Sequence, residues 1–251
     1  MSTPSKIEAI LASYPRTRMP LTPAHEENYI QDYKDNREGE RVVDGLAQKL
    51  ESWMHRQIKT QSSTDILELG AGTLNHIEYE KLTTTYDIVE PFTELYQNSP
   101  RLNQVSGIFD TLSKVPADNK YSRIVSVAAL EHMTNLPLEI ALSAERLKTG
   151  GLFQAGIPSE GGFLWWLGWR CTTGITYWLR NRLDYGILMR HEHVNNAKEI
   201  IAVVDYIFEN LKIRRFPTPL HCLSFYTYLE ATNPRMDRVK KIIDSHKEQI
   251  F

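Results

Sequence analysis

The chain has 251 residues, of which 41% are hydrophobic, and this is enough for one α/β domain with a sizeable core. Its formal net charge is -2, so composition gives no electrostatic case for binding nucleic acid. Cys171 and Cys222 form no C-x-x-C pattern and fit a reducing, cytoplasmic compartment. The opening residues "MSTPSKIEAI" lack a long apolar region, so we expect no secretory signal.

The N-terminal part of the chain combines an irregular segment with a longer helix. Residues 1–37 predict an irregular arm followed by a short helix. Residues 39–59 predict a helix with one buried face, because apolar residues recur there at helical spacing. Those apolar residues are Val42, Val43, Leu46, Leu50, Trp53, Met54 and Ile58.

The middle of the chain alternates apolar runs with helical patterns, which predicts a parallel sheet with helices on both faces. A helical pattern over 138–151 precedes the fifth run, and the rhythm breaks over 159–196. A helix over 197–210 and two closing strands, 211–216 and 223–231, are predicted after the break. The five predicted core strands are 65–69, 86–90, 104–109, 123–130 and 151–158.

A tryptophan-rich stretch over 161–179 raises the question of a membrane span. Such a span needs roughly 20 predominantly apolar residues. Here Arg170 lies in the middle, and glycines and threonines dilute the apolar character. We expect a wall or lid over a binding site and no stable membrane insertion, with contact to a membrane surface as the alternative.

The sequence "DILELGAGTLNHIEYE", residues 65–80, places two glycines directly after the first predicted strand. The dinucleotide fingerprint G-x-G-x-x-G needs a third glycine where this chain has Asn75. The phosphate-binding loop G-x-x-x-x-G-K-[ST] also fails, because no G-K-[ST] follows. Gly70 and Gly72 therefore indicate a nucleotide-type ligand that has no phosphate to bind.

Three acidic residues follow the first three predicted strands. Glu68 ends the first strand, where a carboxylate would suit a ligand ammonium group. Glu90 ends the second strand, 22 residues later, and could accept both hydroxyls of a ribose. Asp110 follows the third and could accept from an adenine amino group. S-adenosylmethionine has all three groups and no phosphate.

Residues 65–158 resemble the class I S-adenosylmethionine-dependent methyltransferases. The matching segments are "ILELGAGT", "DIVEP", "FDTL" and "YSRIVSVAALEHMTNLPLEIALSAERLKTGGLF". This chain departs from the family pattern at Leu74, where many members have glycine, and at Ser122, where aspartate is common. The resemblance implies S-adenosyl-L-methionine as cofactor and S-adenosyl-L-homocysteine as product. The implied cofactor residues are Glu68, Gly70, Gly72, Glu90, Asp110, Ala129 and Glu131.

The same resemblance implies an α/β fold, a doubly wound Rossmann-like sheet of seven mostly parallel strands with the last strand antiparallel. An N-terminal helical arm and an insertion after strand five are added to it. We expect a single domain of residues 1–251. Its parts are an arm and helix (1–60), a cofactor-binding core (61–158), a substrate-side insertion (159–196) and a closing helix with strands (197–251).

The resemblance places the acceptor between the arm, residues 14–41, and the insertion. The insertion is similar to that of methyltransferases found with bacterial surface-polysaccharide genes, which implies a small carbohydrate-type acceptor. The tryptophans could stack on a sugar or fill the core of the insertion, and its arginines could bind an anion or lie solvated. The candidate acceptor residues are Trp165, Trp166, Arg170, Tyr185 and Arg190.

A hydroxyl acceptor requires a general base, because its own proton leaves only far above neutral pH. Three histidines are candidates: His132 in "LEH" after the fourth strand, and His191 and His193 in "RHEHVN". His132 could instead orient the cofactor or its loop. The "HEH" segment could instead precede a helix cap formed by Asn195 or Asn196. We rank the insertion histidines first for contact with the acceptor.

A metal site is not expected from the sequence. Zinc ligands drawn from His191, His193, His221 and Cys222 match no familiar spacing, and no acidic cluster is dedicated to magnesium. The leading function is methyl transfer to a hydroxyl of a carbohydrate-type small molecule. The alternatives are methyl transfer to an amine, and a cofactor-binding partner subunit without activity. The sequence carries no indication of oligomeric state.

Overall fold

A computed structural model describes residues 5–29, 45–58, 65–81 and 85–246. Its seven-stranded sheet has the order β3-β2-β1-β4-β5-β7-β6. Strand β7 runs antiparallel to β5 and β6, and the other neighbouring strands pair in parallel. The predicted doubly wound sheet with an antiparallel last strand is confirmed. The strands are β1 Ile66–Leu69, β2 Tyr86–Val89, β3 Gly107–Phe109, β4 Tyr121–Val127, β5 Leu147–Pro158, β6 Phe208–Pro217 and β7 Ser224–Pro234.

Helices cover both faces of this sheet and form the insertion. Residues 23–29 are also helical, and a π-helical turn, Arg170–Gly174, joins two helices of the insertion. Short 3₁₀ turns follow several strands, among them His76–Tyr79 and Leu130–His132. The helices are α1 Lys6–Leu11, α2 Gly45–Ile58, α3 Thr93–Tyr96, α4 Leu136–Arg146, α5 Phe163–Trp169, α6 Ile175–Asn181, α7 Tyr185–Glu192, α8 Ala197–Ile207 and α9 Met236–Ser245.

The sheet has a hydrophobic core on each face. Strands β1 and β2 are buried at every position, as expected for central parallel strands covered on both sides. On one face, Leu67 and Leu69 belong to a cluster with residues of α4, α8 and α9. On the other face, Ile66 lies in a cluster with Met54 and Ile58 of α2. Hydrophobic side chains therefore pack against both faces of β1, the strand that precedes the glycine loop.

The boundaries of several elements differ from those that the sequence predicts. Strand β4 stops at Val127, because Ala128 takes a left-handed φ of 51° that ends the extended run. Helix α4 stops at Arg146, and β5 already begins at Leu147, before the glycine turn. Helix α9 was missed, although Val239 and Ile242 are buried at helical spacing. In the predicted helix 39–59, Val42 and Val43 lie outside the described residues.

A buried polar network anchors the turn that follows the glycine loop. Glu80 accepts hydrogen bonds from Arg123 Nη1 at 2.7 Å and from His76 Nε2 at 3.0 Å. Burial raises the pKa of Glu80, but these two donors outweigh it and hold the pKa below its usual value. Arg123 lies in β4 and also bonds Gln154 of β5. The network therefore ties the turn to the middle of the sheet.

Candidate functional site

The loop after β1 has an unusual backbone that explains its glycines. Gly70, Gly72 and Leu74 have φ values of 67°, 51° and 64°. A Cβ atom on Gly70 would lie 2.4 Å from the Cβ of Ala129, so glycine is what lets the β1 and β4 loops touch. A Cβ on Gly72 would meet no atom within 4 Å. Gly72 therefore borders open space at the carboxyl edge of the sheet, where open α/β sheets bind ligands.

Leu74 takes the place at which many methyltransferases have glycine. It keeps the left-handed backbone that glycine favours, and its side chain is fully buried. The element that follows is the 3₁₀ turn His76–Tyr79, whereas doubly wound folds usually place a helix there. The chain therefore follows the glycine loop with a short turn.

Glu90 lies at the carboxyl end of β2, beside the glycine loop. Its Oε2 accepts from the Gly72 backbone N–H at 2.9 Å, and its Oε1 accepts from the Phe92 backbone N–H at 3.0 Å. The residue is 5% exposed. Since each carboxylate oxygen has two lone pairs, both can still accept a ligand hydroxyl. The structure thus holds the Glu90 carboxylate in a fixed position next to the open space.

Glu68 ends β1 but points into the core between the sheet and α2. The residue is 2% exposed, and the Tyr86 hydroxyl donates to its Oε2 at 2.7 Å. Burial raises the pKa of Glu68 to about 7. Asp110, the third predicted acid, is exposed and pairs with Lys114, which lowers the pKa of the Asp110 carboxyl. Glu90 is thus held beside the glycine loop, whereas Glu68 lies in the core and Asp110 is exposed.

The structure brings His132 and His193 together at the carboxyl end of β4. Their ring centroids are 4.8 Å apart, with nearly perpendicular ring planes. His132 Nδ1 donates to the backbone carbonyl of Glu192 at 2.9 Å, because a carbonyl can only accept. His193 Nδ1 lies 2.7 Å from Glu160 Oε2 and donates to that carboxylate. In both neutral rings the Nε2 atom is therefore left with its lone pair.

His191 lies on the other side of Glu192 from this pair. Glu192 Oε2 is 3.6 Å from His132 Nδ1, and Glu192 Oε1 is 3.9 Å from His191 Nε2. The His191 Nδ1 atom donates to the Met19 carbonyl of the arm at 2.6 Å. Its ring also makes an edge contact with Tyr29. His191 thus joins the insertion to the arm, and its ranking ahead of His132 for contact with the acceptor stays a prediction.

The end of the insertion is fastened to the β4 loop. The backbone N–H groups of Val194 and Asn195 both donate to the Glu131 carbonyl, at 2.9 and 3.1 Å. The Asn195 amide donates to the carbonyls of Leu130 and Met133, and its Oδ1 accepts from the Tyr14 hydroxyl at 2.6 Å. Asn195 is 1% exposed. These bonds hold His193 next to His132.

Arginines of the N-terminal arm complete this attachment. Arg16 forms a two-pronged pair with Glu199 at 2.8 and 3.0 Å. Arg18 donates to the Glu192 carboxylate at 3.1 Å and to the His132 carbonyl at 3.3 Å. The arm, the insertion and the β4 loop therefore meet at one place. The sequence predicts a role for the arm but does not single out Arg16 and Arg18, because most arginines of a protein lie on its solvated surface.

The predicted acceptor residues occupy different sides of the insertion. Trp165 faces inward and contacts Tyr226 of β7 edge-on, with centroids 5.8 Å apart. Trp166 is 45% exposed, and the Arg170 guanidinium stacks on its ring at 4.8 Å. Arg190 is exposed. Trp165 is therefore packed against the sheet, whereas Trp166 faces out.

A cavity of 310 Å³ lies within the insertion. Among the predicted acceptor residues, Arg170 and Tyr185 line it, and Tyr185 also packs on Trp169. Residues at the carboxyl ends of β1, β2 and β4 do not line this cavity. It is therefore separate from the glycine loop. The remaining lining residues are Trp169, Gly174, Ile175, Trp178, Leu183 and Asp184.

The outer side of the insertion exposes several large apolar residues. None of the described helices is long and apolar enough to cross a membrane. Helices α5 and α6 nevertheless leave six such side chains at least a third exposed, with arginines stacked on the tryptophans at either end. The exposed apolar residues are Phe163, Trp166, Leu167, Ile175, Trp178 and Leu179.

Comparison with known proteins identifies the fold. No protein-family model matches the sequence, and the search of curated proteins finds no match. Among solved structures, a possible histamine N-methyltransferase from Thermotoga maritima has a TM-score of 0.54 at 14% identity, covering 82% of this chain and 97% of that one. A possible exported protein from Bordetella parapertussis has a TM-score of 0.52 at 12% identity, covering 90% of this chain and 78% of that one.

A third structure is a 1,6-didemethyltoxoflavin-N1-methyltransferase from Burkholderia thailandensis with bound S-adenosylhomocysteine. It has a TM-score of 0.50 at 13% identity, covering 86% of this chain and 92% of that one. The architecture of the present chain is thus that of the class I S-adenosylmethionine-dependent methyltransferases. At these identities the likeness defines the fold.

Proposed function

We propose that this protein binds S-adenosylmethionine and transfers its methyl group to a hydroxyl of a small acceptor. The observation that carries the proposal is the contact between the glycine loop and the histidine-bearing loop. Gly70 touches Ala129, which lies only three residues before His132. A ligand in the open space above Gly72 would therefore have the His132–His193 pair beside it.

The residues at the carboxyl edge suit this cofactor. Glu90 would accept the ribose hydroxyls, Asp110 the adenine amino group, and Glu68 would favour the ammonium group from below the loop. Gly72 leaves the room that the amino-acid part requires. Ala129 and Glu131 lie in the adjoining loop. When bound, the cofactor supplies a methyl group on a positive sulfur that is already activated, so the protein mainly has to align donor and acceptor.

The histidine pair supplies what a hydroxyl acceptor lacks. As the acceptor oxygen forms its bond to the methyl carbon, the bond from carbon to sulfur breaks and the sulfur keeps the electron pair. The hydroxyl proton must leave as well, and the Nε2 atom of His132 or His193 is free to accept it. Direct proton transfer of this kind commonly contributes about 10²–10⁴-fold to the rate.

The acceptor class is proposed from the composition of the insertion. Aromatic side chains and one arginine, Arg170, line the 310 Å³ cavity, and sugars and their anionic precursors bind to such groups. We therefore favour a sugar or nucleotide-linked sugar of the kind used in surface polysaccharide. Arg170 and Tyr185 line this cavity, and Trp165, Trp166 and Arg190 are the further candidates. Two of the structures with the same fold are described as N-methyltransferases, so amine acceptors belong in the same assay.

Calorimetry with S-adenosylmethionine tests binding, and formation of S-adenosylhomocysteine with a panel of sugars, nucleotide sugars and amines tests turnover. We expect turnover with a hydroxyl acceptor that falls about 10²–10⁴-fold in His132→Ala or His193→Ala, with cofactor affinity unchanged. Binding without turnover on any acceptor would favour the inactive partner subunit, and absence of binding would refute the proposal.

A further inference from the structure

Glu131, His132 and His193 converge on one point beside the β4 loop. Each offers one ligand atom, a ring nitrogen or a carboxylate oxygen, and these three atoms lie within 4.8 Å of one another. His132 Nε2 and Glu131 Oε1 are 4.0 Å apart. We propose that these three side chains bind a single divalent transition-metal ion, and that, if the proposed function holds, this ion activates the acceptor hydroxyl.

The hydrogen bonds around the two histidines are those that metal ligands require. A ligating histidine normally donates its other ring N–H to a carbonyl or a carboxylate, which fixes the tautomer and the ring orientation. His132 Nδ1 donates to the Glu192 carbonyl, and His193 Nδ1 donates to the Glu160 carboxylate. Both Nε2 atoms are thereby turned into neutral donors of a lone pair. One such bond is common at a single structural histidine. Here two adjacent rings both have this arrangement.

The charge at this point also favours a cation. Glu131 is 2% exposed, and the carboxylates of Glu160 and Glu192 face the two histidines. Among the residues that the structure describes, Arg18 of the arm also faces them, paired with Glu192. Three carboxylates beside one guanidinium give this place an excess of negative charge. A divalent ion would balance it.

The ligand types indicate which ions the site would take. Two imidazoles and one carboxylate suit Zn²⁺, Mn²⁺ and Fe²⁺, whereas Mg²⁺ and Ca²⁺ prefer oxygen ligands. Ligands on one such ion lie about 3–4 Å apart at bond lengths of roughly 2.0–2.2 Å, so the three side chains need to close by only about 1 Å. Three protein ligands leave coordination positions open for water or an acceptor.

The ion would replace direct proton transfer as the way in which this site activates a hydroxyl. An oxygen bound to a divalent ion loses its proton near neutral pH, and the proton passes to solvent. The resulting alkoxide forms the bond to the methyl carbon while the carbon–sulfur bond breaks and its electron pair stays on sulfur. His132 and His193 act then as ligands, and no further reactant is needed.

Metal binding can be measured without any acceptor. The full-length protein is treated with a chelator and titrated with Mn²⁺, followed by electron paramagnetic resonance of the free ion, and with Zn²⁺ against a chromophoric chelator. We expect one saturable site per chain, tighter for Zn²⁺ than for Mn²⁺. A wild-type protein without a saturable site for either ion would overturn the inference.

Variants locate the site. Glu131→Gln, His132→Ala and His193→Ala should each abolish saturable binding, and Glu160→Gln should weaken it about 10–100-fold by loosening His193. His246→Ala removes a partly exposed histidine directly after α9 and should leave the affinity unchanged. If Glu131→Gln and both histidine variants bind the ion as the wild type does, the site lies elsewhere and the inference fails.

A parallel titration with S-adenosylhomocysteine separates this inference from the proposed function. Circular dichroism and thermal unfolding show which variants have kept their fold, so that their loss of metal reflects lost ligands. Metal binding by a wild-type protein that does not bind S-adenosylhomocysteine would refute the proposed function and leave the metal site standing. A wild-type protein that binds S-adenosylhomocysteine but no metal ion would refute the metal site alone.

Discussion

At the scale of single residues, Glu68 and Glu90 end neighbouring strands but differ in what surrounds the carboxylate. Glu90 accepts hydrogen bonds from two backbone N–H groups, and one of these belongs to Gly72, which borders open space. Glu68 is enclosed in the core and bonded by the Tyr86 hydroxyl. The sequence predicts an acid at the end of each strand. It does not show which face of the sheet the side chain takes, because that depends on the pleat of β1 and on α2.

Glu90→Ala should weaken the binding of S-adenosylmethionine at least tenfold. A hydrogen bond to a charged group contributes about 1.5–3 kcal/mol. The variant would lose the hydrogen bonds between Glu90 and the ribose hydroxyls. Titration calorimetry measures the affinity, and Asp118→Ala, which removes an exposed acid from a turn, is the matched control. Affinity within twofold of wild type would show that Glu90 does not contact the cofactor.

Glu68→Gln should flatten the dependence of stability on pH. Because burial raises the folded-state pKa of Glu68 to about 7 from 4.5, the folded protein holds this proton more tightly than the unfolded chain. Its contribution to stability is therefore complete below pH 4.5 and is lost as pH rises through about 7. The loss amounts to at most about 3 kcal/mol.

Urea unfolding of the ligand-free protein at pH 5 and pH 8 measures this difference. The Gln variant keeps a group that can accept from Tyr86 but cannot ionise, so its stability should fall less between the two values. An equal fall in both proteins would mean that Glu68 titrates normally.

Gly70→Ala should disrupt the contact between the β1 and β4 loops. The added methyl group would meet the Cβ of Ala129 at 2.4 Å, and the φ of 67° is unfavourable for any residue with a Cβ. We expect a loss of about 1–3 kcal/mol in the free energy of unfolding and weaker cofactor binding. Gly150→Ala is a useful comparison, because it has a φ of 74° but no atom near its Cβ. Equal effects of the two substitutions would leave backbone strain alone as the cause.

At the scale of elements, the core strands were predictable and the meeting of the arm with the insertion was not. Strands β1, β2 and β4 are continuous apolar runs, and such runs indicate buried parallel strands without any knowledge of their partners. The start of α8 was also predictable, since Asn196 forms a capping box with Glu199. The pairing of His132 with His193 depends on hydrogen bonds made by Asn195, Tyr14 and Arg16. These partners are far apart in the chain, and no local pattern connects them.

Asn195→Ala should destabilise the protein more than Tyr14→Phe. The first change removes three hydrogen bonds, two of them buried, and leaves two carbonyls and the Tyr14 hydroxyl without this partner, for a cost of about 2–4 kcal/mol. The second removes one of these bonds, for about 1 kcal/mol. Chemical denaturation of both variants gives the comparison. Equal destabilisation would mean that the bonds to Leu130 and Met133 contribute little.

At the scale of the whole molecule, the two halves of the candidate site come from different parts of the fold. Proposed cofactor contacts lie mainly on the loops after β1, β2 and β3, with Ala129 and Glu131 on the β4 loop, and these strands are packed in the two hydrophobic cores. Proposed acceptor contacts lie on the insertion and the arm, which meet the sheet mainly through polar bonds to the β4 loop. Substitutions in one half should therefore leave binding in the other half unchanged.

Stabilisation by S-adenosylhomocysteine tests this separation. A ligand at about 100 times its Kd stabilises the folded state by about 2.7 kcal/mol. We expect the same gain, within about 0.5 kcal/mol, for the wild type, Arg18→Gln and Tyr185→Phe, because independent sites contribute additively. At the same ligand concentration, the gain of Glu90→Ala should fall to about 1.4 kcal/mol or less, since its affinity is at least tenfold weaker. Thermal unfolding with and without ligand provides these values. A comparable fall in Arg18→Gln or Tyr185→Phe would show that the arm and the insertion help to bind the cofactor, and that the site works as one unit.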